Sequence, residues 1–261
     1  RRRQDRTGSV APPCISIPST ARSAASHDRL VTDAAEATDR NTAAVLAPTE
    51  RGRVRRHPDR ASYDREVVHA VLDEGLVAHV GIVADDQPYV LPMFYGRDRD
   101  RLLLHGSVAS RLVRLLSAGV PVCVTVTLLD GLVLARSAFH HSMNYRSVVV
   151  LGTARRLTDD AAVEAGFERL VDHVADGRSD EVRAPNTLEA RQTVLLEVPI
   201  EEASAKSRTG GPIEEPDDLI EPGWGGVIGI RTVFDEPIAD EDTIPGTPLP
   251  PSLQSYRRGT G

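Results

Sequence analysis

The stretch that decides the fold is His140-His141-Ser142-Met143-Asn144-Tyr145-Arg146-Ser147-Val148-Val149-Val150-Leu151-Gly152-Thr153-Ala154. Its second half is β-branched and apolar, which favours a pleated, buried strand. Gly152 within that half indicates a bulge or a close approach of another backbone. The polar first half therefore lies at the mouth of a core strand, where side chains are held more precisely than on a loop. A solvated polar turn that merely precedes the strand is the other interpretation.

Short strand-like segments separated by polar turns flank this stretch. The sequence predicts strands over 76–83, 88–95, 101–105, 121–129, 193–200 and 228–234. It predicts helices over 63–74, capped by Ser62 and ended by Gly75, and from Thr158 to Asp176. Asp130-Gly131 predicts a hairpin turn, after which 132–136 returns as a strand or a bulged arm. This spacing favours an antiparallel sheet over a βαβ fold.

Composition limits the possible functions. The net charge of −7 and the aromatic content of 4% argue against nucleic acid as a partner. The two cysteines form neither a disulfide framework nor a zinc motif, which fits a reducing, cytoplasmic setting. No apolar run is long enough to cross a membrane, and no secretory signal is evident. We expect no metal site, because the histidines show no His-x-His or His-x-x-x-His spacing.

Three segments follow from the distribution of residue types. We expect residues 1–57 to be a disordered basic tail, because no apolar period persists among their Pro, Ser, Thr, Ala and Arg residues. Residues 58–234 form the predicted domain. Residues 235–261 are rich in proline and acidic residues and predict a loose tail.

A second candidate site is His105-Gly106-Ser107-Val108-Ala109-Ser110-Arg111-Leu112. It predicts a strand end followed by a helix capped by Ser107. Free N–H groups at a helix N-terminus, serine hydroxyls and an arginine fork together suit a phosphate monoester. Gly106 would let the backbone approach such a ligand. A capped helix that carries Ser110 and Arg111 by chance is the alternative.

The run Tyr145-Arg146-Ser147-Val148-Val149-Val150-Leu151-Gly152-Thr153-Ala154 resembles the signature strand of the pyridoxamine 5′-phosphate oxidase-like flavoproteins. The most similar branch is the one that contains the nitroimidazole-resistance reductases. The resemblance spans roughly residues 58–234 and includes the Ser110-Arg111 pair. It implies a mainly β fold, a six-stranded antiparallel split β-barrel of Greek-key topology with a few peripheral helices. It also implies a cytoplasmic homodimer that binds FMN in a cleft between its subunits.

In that family the flavin performs the redox chemistry, and the protein supplies position and electrostatics. The resemblance makes His105 the candidate catalytic residue, facing the substrate. The implied cofactor-binding residues lie in four short segments of the chain: Pro92, Met93 and Phe94; His105, Gly106 and Ser107; Ser110 and Arg111; and His141, Asn144, Tyr145, Arg146 and Ser147.

Three functions remain open at this point. The first is an FMN-dependent oxidoreductase of small molecules, with NAD(P)H docking transiently because no dinucleotide-binding glycine fingerprint occurs. The second is a haem-binding or haem-degrading split barrel that uses one of four histidines: His79, His105, His140 or His141. The third is a flavin carrier or sensor without turnover.

Two further features allow two interpretations each. Lys206 and Arg208 follow the strand predicted over 193–200. They could neutralise a phosphate or carboxylate, or belong to a solvated loop. Trp224, the only tryptophan, could lie beside the flavin or fill the core.

Overall fold

The computed structural model describes residues 44–220, 222–254 and 256. The strands of these residues are β1 Ala61–Ser62, β2 Val77–Ala84, β3 Gln87–Asp98, β4 Arg101–Ser107, β5 Pro121–Leu134, β6 Ser142–Thr153, β7 Arg155–Arg156, β8 Thr193–Pro199, β9 Glu202–Arg208 and β10 Gly226–Gly229. Their α-helices are α1 Arg65–Glu74, α2 Arg111–Ser117, α3 Asp160–Val174, α4 Thr187–Gln192 and α5 Pro251–Gln254. Single 3₁₀ turns occur at Pro58–Arg60, Ala138–His140 and Arg178–Glu181.

All ten strands belong to one antiparallel sheet in the order β1-β9-β6-β5-β2-β3-β4-β8-β7, with β10 added to β5. The prediction of a mainly antiparallel β fold with few helices is confirmed. The described sheet is not closed, and it has seven long and three short strands where the resemblance implies six. The additional long strand is β9, which was not predicted as a strand; its small residues have low strand propensity.

The main core lies on one face of the sheet, which we call the inner face. Its fully buried side chains include Val80, Leu104, Val150 and Leu196, and α1 and α2 pack against them. We call the opposite face the outer face. On the β4–β8 side, α3 covers the outer face and forms a second, smaller cluster: Leu103, Leu170 and Leu195, with Phe94, Leu157 and Phe167 packed against it. Strand alternation sends Leu103 and Leu104 to different cores.

The predicted hairpin turn at Asp130-Gly131 is wrong: the chain does not return there, and residues 132–134 continue β5 beyond a bulge. Strand β5 continues through this dipeptide and keeps β6 as its partner, with a register shift between Leu129 and Gly131. A side chain at position 131 would lie 3.0 Å from the carbonyl oxygen of Ile228. Glycine therefore allows the close pairing of β5 with β10, which begins before the predicted 228–234.

Two helix caps also differ from the prediction. Helix α1 is capped by Asp64, whose side chain accepts a hydrogen bond from the Glu66 N–H, while Ser62 lies in β1. Helix α2 is capped by Ser110 rather than Ser107. Each predicted cap is a serine that lies two or three residues before the observed one. Capping preferences alone do not locate the start of a helix to within that distance.

The ends of the described domain extend past the predicted boundaries. Leu46 is only 3% exposed and belongs to the main core, and the Val54 N–H donates to Tyr63 Oη at 2.9 Å. The described part of the predicted N-terminal tail therefore packs on the sheet, whereas residues 1–43 lie outside the described residues. Near the other end, Tyr256 Oη donates to the Val174 carbonyl at 2.6 Å, so part of the predicted loose tail is anchored.

Within the described residues, no helix combines the length and apolar character needed to cross a membrane. Over the same residues, no group of three or more His, Cys, Asp or Glu side chains is placed to hold a metal ion.

Candidate functional site

An extended region of the outer face carries solvent-exposed apolar side chains. Val83 and Val90 are 60% and 63% exposed; they lie on the central strands β2 and β3, toward the turn that joins them. The strand registers bring small polar side chains beside them. We call this region the open face, and we define it by the outward-facing residues of β2, β3, β5 and β6: Val77, His79, Val83, Pro88, Val90, Pro92, Thr125, Thr127, Tyr145 and Ser147.

The predicted phosphate-binding pair lies at the start of α2. Ser110 uses its hydroxyl to cap the helix, accepting from the Val113 N–H at 3.5 Å. Arg111 reaches across to the β2–β3 turn, where it donates to Asp85 Oδ2 at 2.7 Å and lies 4.7 Å from the centre of the Tyr89 ring. Since Arg111 and Asp85 are both exposed, a stronger anion could displace the carboxylate at small cost.

Gly106 and Ser107 shape the turn that leads into α2. An added Cβ at Gly106 would lie 2.7 Å from Val113 Cγ2, so glycine permits the close packing of the helix on β4. The Ser107 hydroxyl accepts from the Ala109 N–H at 3.2 Å. Both residues thus have a structural role in the turn, and their proposed contact with a cofactor stays a prediction.

His105 and Phe94 are neighbours on the outer face, at the edge of the region that α3 covers. Their ring centres are 5.9 Å apart, in an edge-to-face arrangement. The His105 Nδ1 atom is buried and has no hydrogen-bond partner among the described residues. Burial lowers the pKa of His105, which favours the neutral imidazole. A neutral ring with a free nitrogen can accept a proton or bind a metal ion.

We expect His105 to make the fold less stable in acid. The unfolded chain takes up a proton near pH 6.5, while the folded chain resists it, so the unfolding free energy falls as the pH drops below about 6.5. Urea unfolding at pH 7.5 and 5.5 should show a smaller loss for His105→Gln than for the wild type. The exposed His141 offers the matched variant His141→Gln, which should behave as the wild type; equal losses in all three proteins would contradict the prediction.

Strand alternation divides the two predicted ring-lining segments between opposite faces. Pro92, Tyr145 and Ser147 lie on the open face. Met93 packs against the main core on the inner face. Met93 therefore faces away from Pro92 and Phe94, because adjacent strand residues point in opposite directions. Its contact with a cofactor stays a prediction.

Arg146 is likewise directed away from its neighbours Tyr145 and Ser147. It forms a two-pronged ion pair with Glu74 and another with Asp130, whose Oδ1 and Oδ2 lie 2.8 and 3.1 Å from the guanidinium nitrogens. Hydrogen bonds from these two carboxylates raise the pKa of Arg146 above its usual value. Its donors thus join α1 to the β5 bulge, and its contact with a flavin stays a prediction.

The remaining predicted residues lie near the β5–β6 connection and the end of β9. Asn144 is buried, donates from Nδ2 to the Gly210 carbonyl at 3.1 Å and accepts from Arg208. His141 is exposed, with Nδ1 3.0 Å from the Ser137 carbonyl oxygen. Trp224 is largely exposed, so the interpretation of this residue as core filler is wrong.

The predicted residues thus form separate groups rather than one cluster within a single chain. Sequence reasoning missed Asp85 and Tyr89, the partners of Arg111, because no local pattern links the β2–β3 turn to α2. It also missed the Asn144–Arg208 contact, which requires β9 to pair with β6. Recognising β9 as a strand would have revealed that contact.

Comparison with known proteins places the chain in a family. Residues 64–207 match the family model described as pyridoxamine 5′-phosphate oxidase. No curated protein matches the chain. The solved structure of the flavocytochrome Anf3 from Azotobacter vinelandii is 39% identical, with a TM-score of 0.77, over 82% of this chain and 100% of that one. The FAD and haem binding protein from Mycobacterium smegmatis is 37% identical, with a TM-score of 0.71, over 74% of this chain and 95% of that one.

The family model covers more than half of the chain, and both structures match over nearly their whole lengths. Antiparallel strands and the segment around β6 agree with the family predicted from the signature strand. The branch within the family stays a prediction. This chain therefore belongs to the pyridoxamine 5′-phosphate oxidase family.

Proposed function

We propose that this protein binds a flavin nucleotide, FMN, against its open face and uses it to oxidise or reduce a small molecule. The observation that carries the proposal is the open face itself, a surface of valine, proline and small polar side chains left uncovered on the central strands of the sheet. A flat tricyclic ring gains stability by covering such a surface. The names of the two similar structures, a flavocytochrome and an FAD and haem binding protein, support a flavin ligand.

The residues of this chain fit the parts of a flavin nucleotide. Arg111 lies over the ring of Tyr89, which points to the inner face, so it would meet a phosphate that extends past the end of the β2–β3 hairpin. Its present partner Asp85 is an exposed carboxylate that such a phosphate would replace. Pro92, Tyr145 and Ser147 offer apolar and hydroxyl-bearing surface to a ring. When bound, the flavin would supply the electron-transfer chemistry, and these residues would hold and orient it.

Absorption spectroscopy tests the proposal. The purified protein is mixed with FMN or, in a parallel sample, FAD, and then passed through a gel-filtration column. A flavin spectrum that elutes with the protein supports the proposal, and the relative retention of the two nucleotides identifies the cofactor. Loss of both flavins at micromolar protein concentration would overturn it.

Turnover separates an oxidoreductase from a flavin carrier or sensor. We expect the flavin-loaded protein to oxidise NADPH or NADH in the steady state, with the nicotinamide docking transiently. Retention of flavin without any oxidation of a reduced nicotinamide would favour the carrier or sensor.

We also propose that a second copy of the chain covers the open face and forms a homodimer. Exposed apolar side chains grouped on neighbouring strands are typical of a surface that another chain buries. We expect Val90→Asp to shift the protein to the monomer, because the interface would have to bury a charge. Light scattering measures the mass, and Leu188→Asp, on the exposed surface of α4, is the matched control. A monomeric wild type, or a dimeric Val90→Asp variant, would contradict the proposal.

Haem binding is the second candidate function. It is favoured by the buried Nδ1 of His105, which has no hydrogen-bond partner among the described residues. A neutral imidazole nitrogen is a common ligand of haem iron, and one similar structure is named for haem as well as FAD. A Soret band that appears on adding haem and is lost in His105→Ala, but kept in His141→Ala, would support it; absence of the band in the wild type would reject it.

A further inference from the structure

Arg208 is a buried arginine whose hydrogen-bond acceptors are all neutral. It lies at the end of β9 and is 6% exposed. Its Nη1 donates to Asn144 Oδ1 at 2.5 Å and to the Gly210 carbonyl at 3.2 Å, and its Nη2 donates to the Gly211 carbonyl at 2.8 Å. None of these acceptors is a carboxylate. Buried charges in proteins are normally paired with an opposite charge, so this guanidinium lacks its usual counterion among the described residues.

The charged side chains near Arg208 are cations rather than carboxylates. Burial lowers the pKa of Arg208 first, the positive charge of Arg60 lowers it further, and Tyr145 acts in the opposite direction. Arg60 directly precedes Ala61, which pairs with Lys206 of β9. Lys206, two residues earlier on the same face of β9, donates from Nζ to the Arg56 carbonyl at 2.9 Å, again a neutral acceptor. Cationic side chains therefore lie around this end of β9, and no carboxylate of the described residues is bound to Arg208.

One edge of the Arg208 guanidinium donates to no acceptor among the described residues. A guanidinium has five N–H donors, and the hydrogen bonds described above involve only Nη1 and Nη2. The Nε donor has no acceptor among the described residues. The Nε–H group and one Nη2–H group point in the same direction and match the two oxygens of a carboxylate or phosphate.

The position of Arg208 connects this edge to the open face. Tyr145 is the partner of Arg208 across the β6–β9 ladder, and Ser147 is the partner of Lys206. Paired residues of neighbouring strands point to the same side of a sheet. A ligand that covers Tyr145 would therefore bring its anionic group close to Arg208, at a place separate from Arg111, which contacts the β2–β3 turn.

We propose that the Nε edge of Arg208, assisted by Arg60, binds the phosphate or carboxylate group of a ligand that lies over Tyr145 on the open face. The identity of that ligand rests on the proposed function, whereas the existence of the anion site does not. The group belongs either to the flavin nucleotide or to an anionic substrate. Both sources present the same pair of oxygens to the arginine.

The anion site is tested first on the full chain without added flavin. The melting temperature is measured in phosphate and in chloride at equal ionic strength and pH. We expect phosphate to raise the melting temperature of the wild type, and Arg208→Lys to lose most of that rise, because lysine keeps the charge but lacks the two-pronged edge. Arg60→Ala, which leaves the buried hydrogen bonds of Arg208 in place, should lose part of it. Arg155→Ala, an exposed arginine in β7, is the control and should keep the full rise.

The second arm identifies the source of the anion by comparing the retention of FMN with that of riboflavin, which lacks the phosphate. If Arg208→Lys weakens FMN binding at least tenfold but leaves riboflavin binding unchanged, the flavin phosphate occupies the site. Unchanged FMN binding together with the lost phosphate effect assigns the site to a substrate. A phosphate effect that is absent in the wild type, or equal in the wild type, Arg208→Lys and Arg60→Ala, would overturn the anion site even if the protein binds flavin.

Discussion

Arg111→Ala is expected to weaken FMN binding by about 10- to 150-fold. The variant removes a charge-assisted contact to the phosphate, and such contacts contribute roughly 1.5–3 kcal/mol. The Arg111 guanidinium already stacks on the Tyr89 ring, with its carbon 4.7 Å from the ring centre. The side chain therefore loses little conformational entropy when a phosphate binds. The dissociation constant is measured by quenching of flavin fluorescence.

Two further variants sharpen this measurement. Arg114→Ala removes the same charge from the exposed side of the same helix, so it should leave FMN affinity nearly unchanged. Asp85→Asn removes the carboxylate that competes for Arg111 and should tighten binding a few-fold, since an exposed ion pair contributes at most about 1 kcal/mol. Equal weakening by Arg111→Ala and Arg114→Ala would mean that general charge, rather than a specific contact, attracts the flavin.

Gly75→Ala is expected to lower the free energy of unfolding by about 1–3 kcal/mol, the usual effect of overpacking a core. An added Cβ would lie 2.4 Å from Val126 Cγ1 and 2.8 Å from Tyr95 Oη. Tyr95 is fully buried and donates to the Leu72 carbonyl, so displacing its ring would also disturb that hydrogen bond. Urea unfolding at neutral pH gives the change in stability from the transition midpoint.

Gly81→Ala is the matched control for this prediction. Gly81 also lies in the sheet, but its nearest contact would be 3.5 Å away, an ordinary van der Waals distance. Alanine there should be neutral or stabilising, because glycine loses more conformational freedom when a strand forms. Combining Gly75→Ala with Val126→Ala should cost less stability than the sum of the two single changes if the Val126 contact is responsible. A Gly75→Ala protein as stable as Gly81→Ala would contradict the prediction.

The role of Gly75 also shows where sequence reasoning reached the right residue for the wrong reason. The sequence predicts Gly75 as a helix stop, and α1 does end at Glu74. Its backbone, however, has a φ of −69°, which any residue can adopt. Glycine is needed because β5 and Tyr95 approach closely, and those contacts come from residues distant in sequence.

The candidate site was predictable in part. The sequence located the segments, since Ser110-Arg111 and the start of β6 do lie at strand and helix ends. It did not assign faces, and consecutive residues were grouped although strand alternation separates them. Met93 and Arg146 were therefore placed in the site with their neighbours, yet both side chains contribute to packing and ion pairs elsewhere.

What the sequence by itself determined is local and periodic. The β-branched run of Val148–Val150, the alternating apolar residues and the capped amphipathic helices favour an antiparallel sheet with few helices, because backbone preference and side-chain period act over a few residues. The signature residues around Tyr145 were also sufficient to indicate the family.

Only the tertiary structure decided what depends on strand pairing. It turned Asp130-Gly131 from a turn into a bulge, because β5 keeps β6 as a partner on both sides of it. It made β9 a strand that brings Arg208 beside Tyr145 and Asn144. Hydrogen bonds and contacts between distant strands set these outcomes, and short-range propensities carry no information about them.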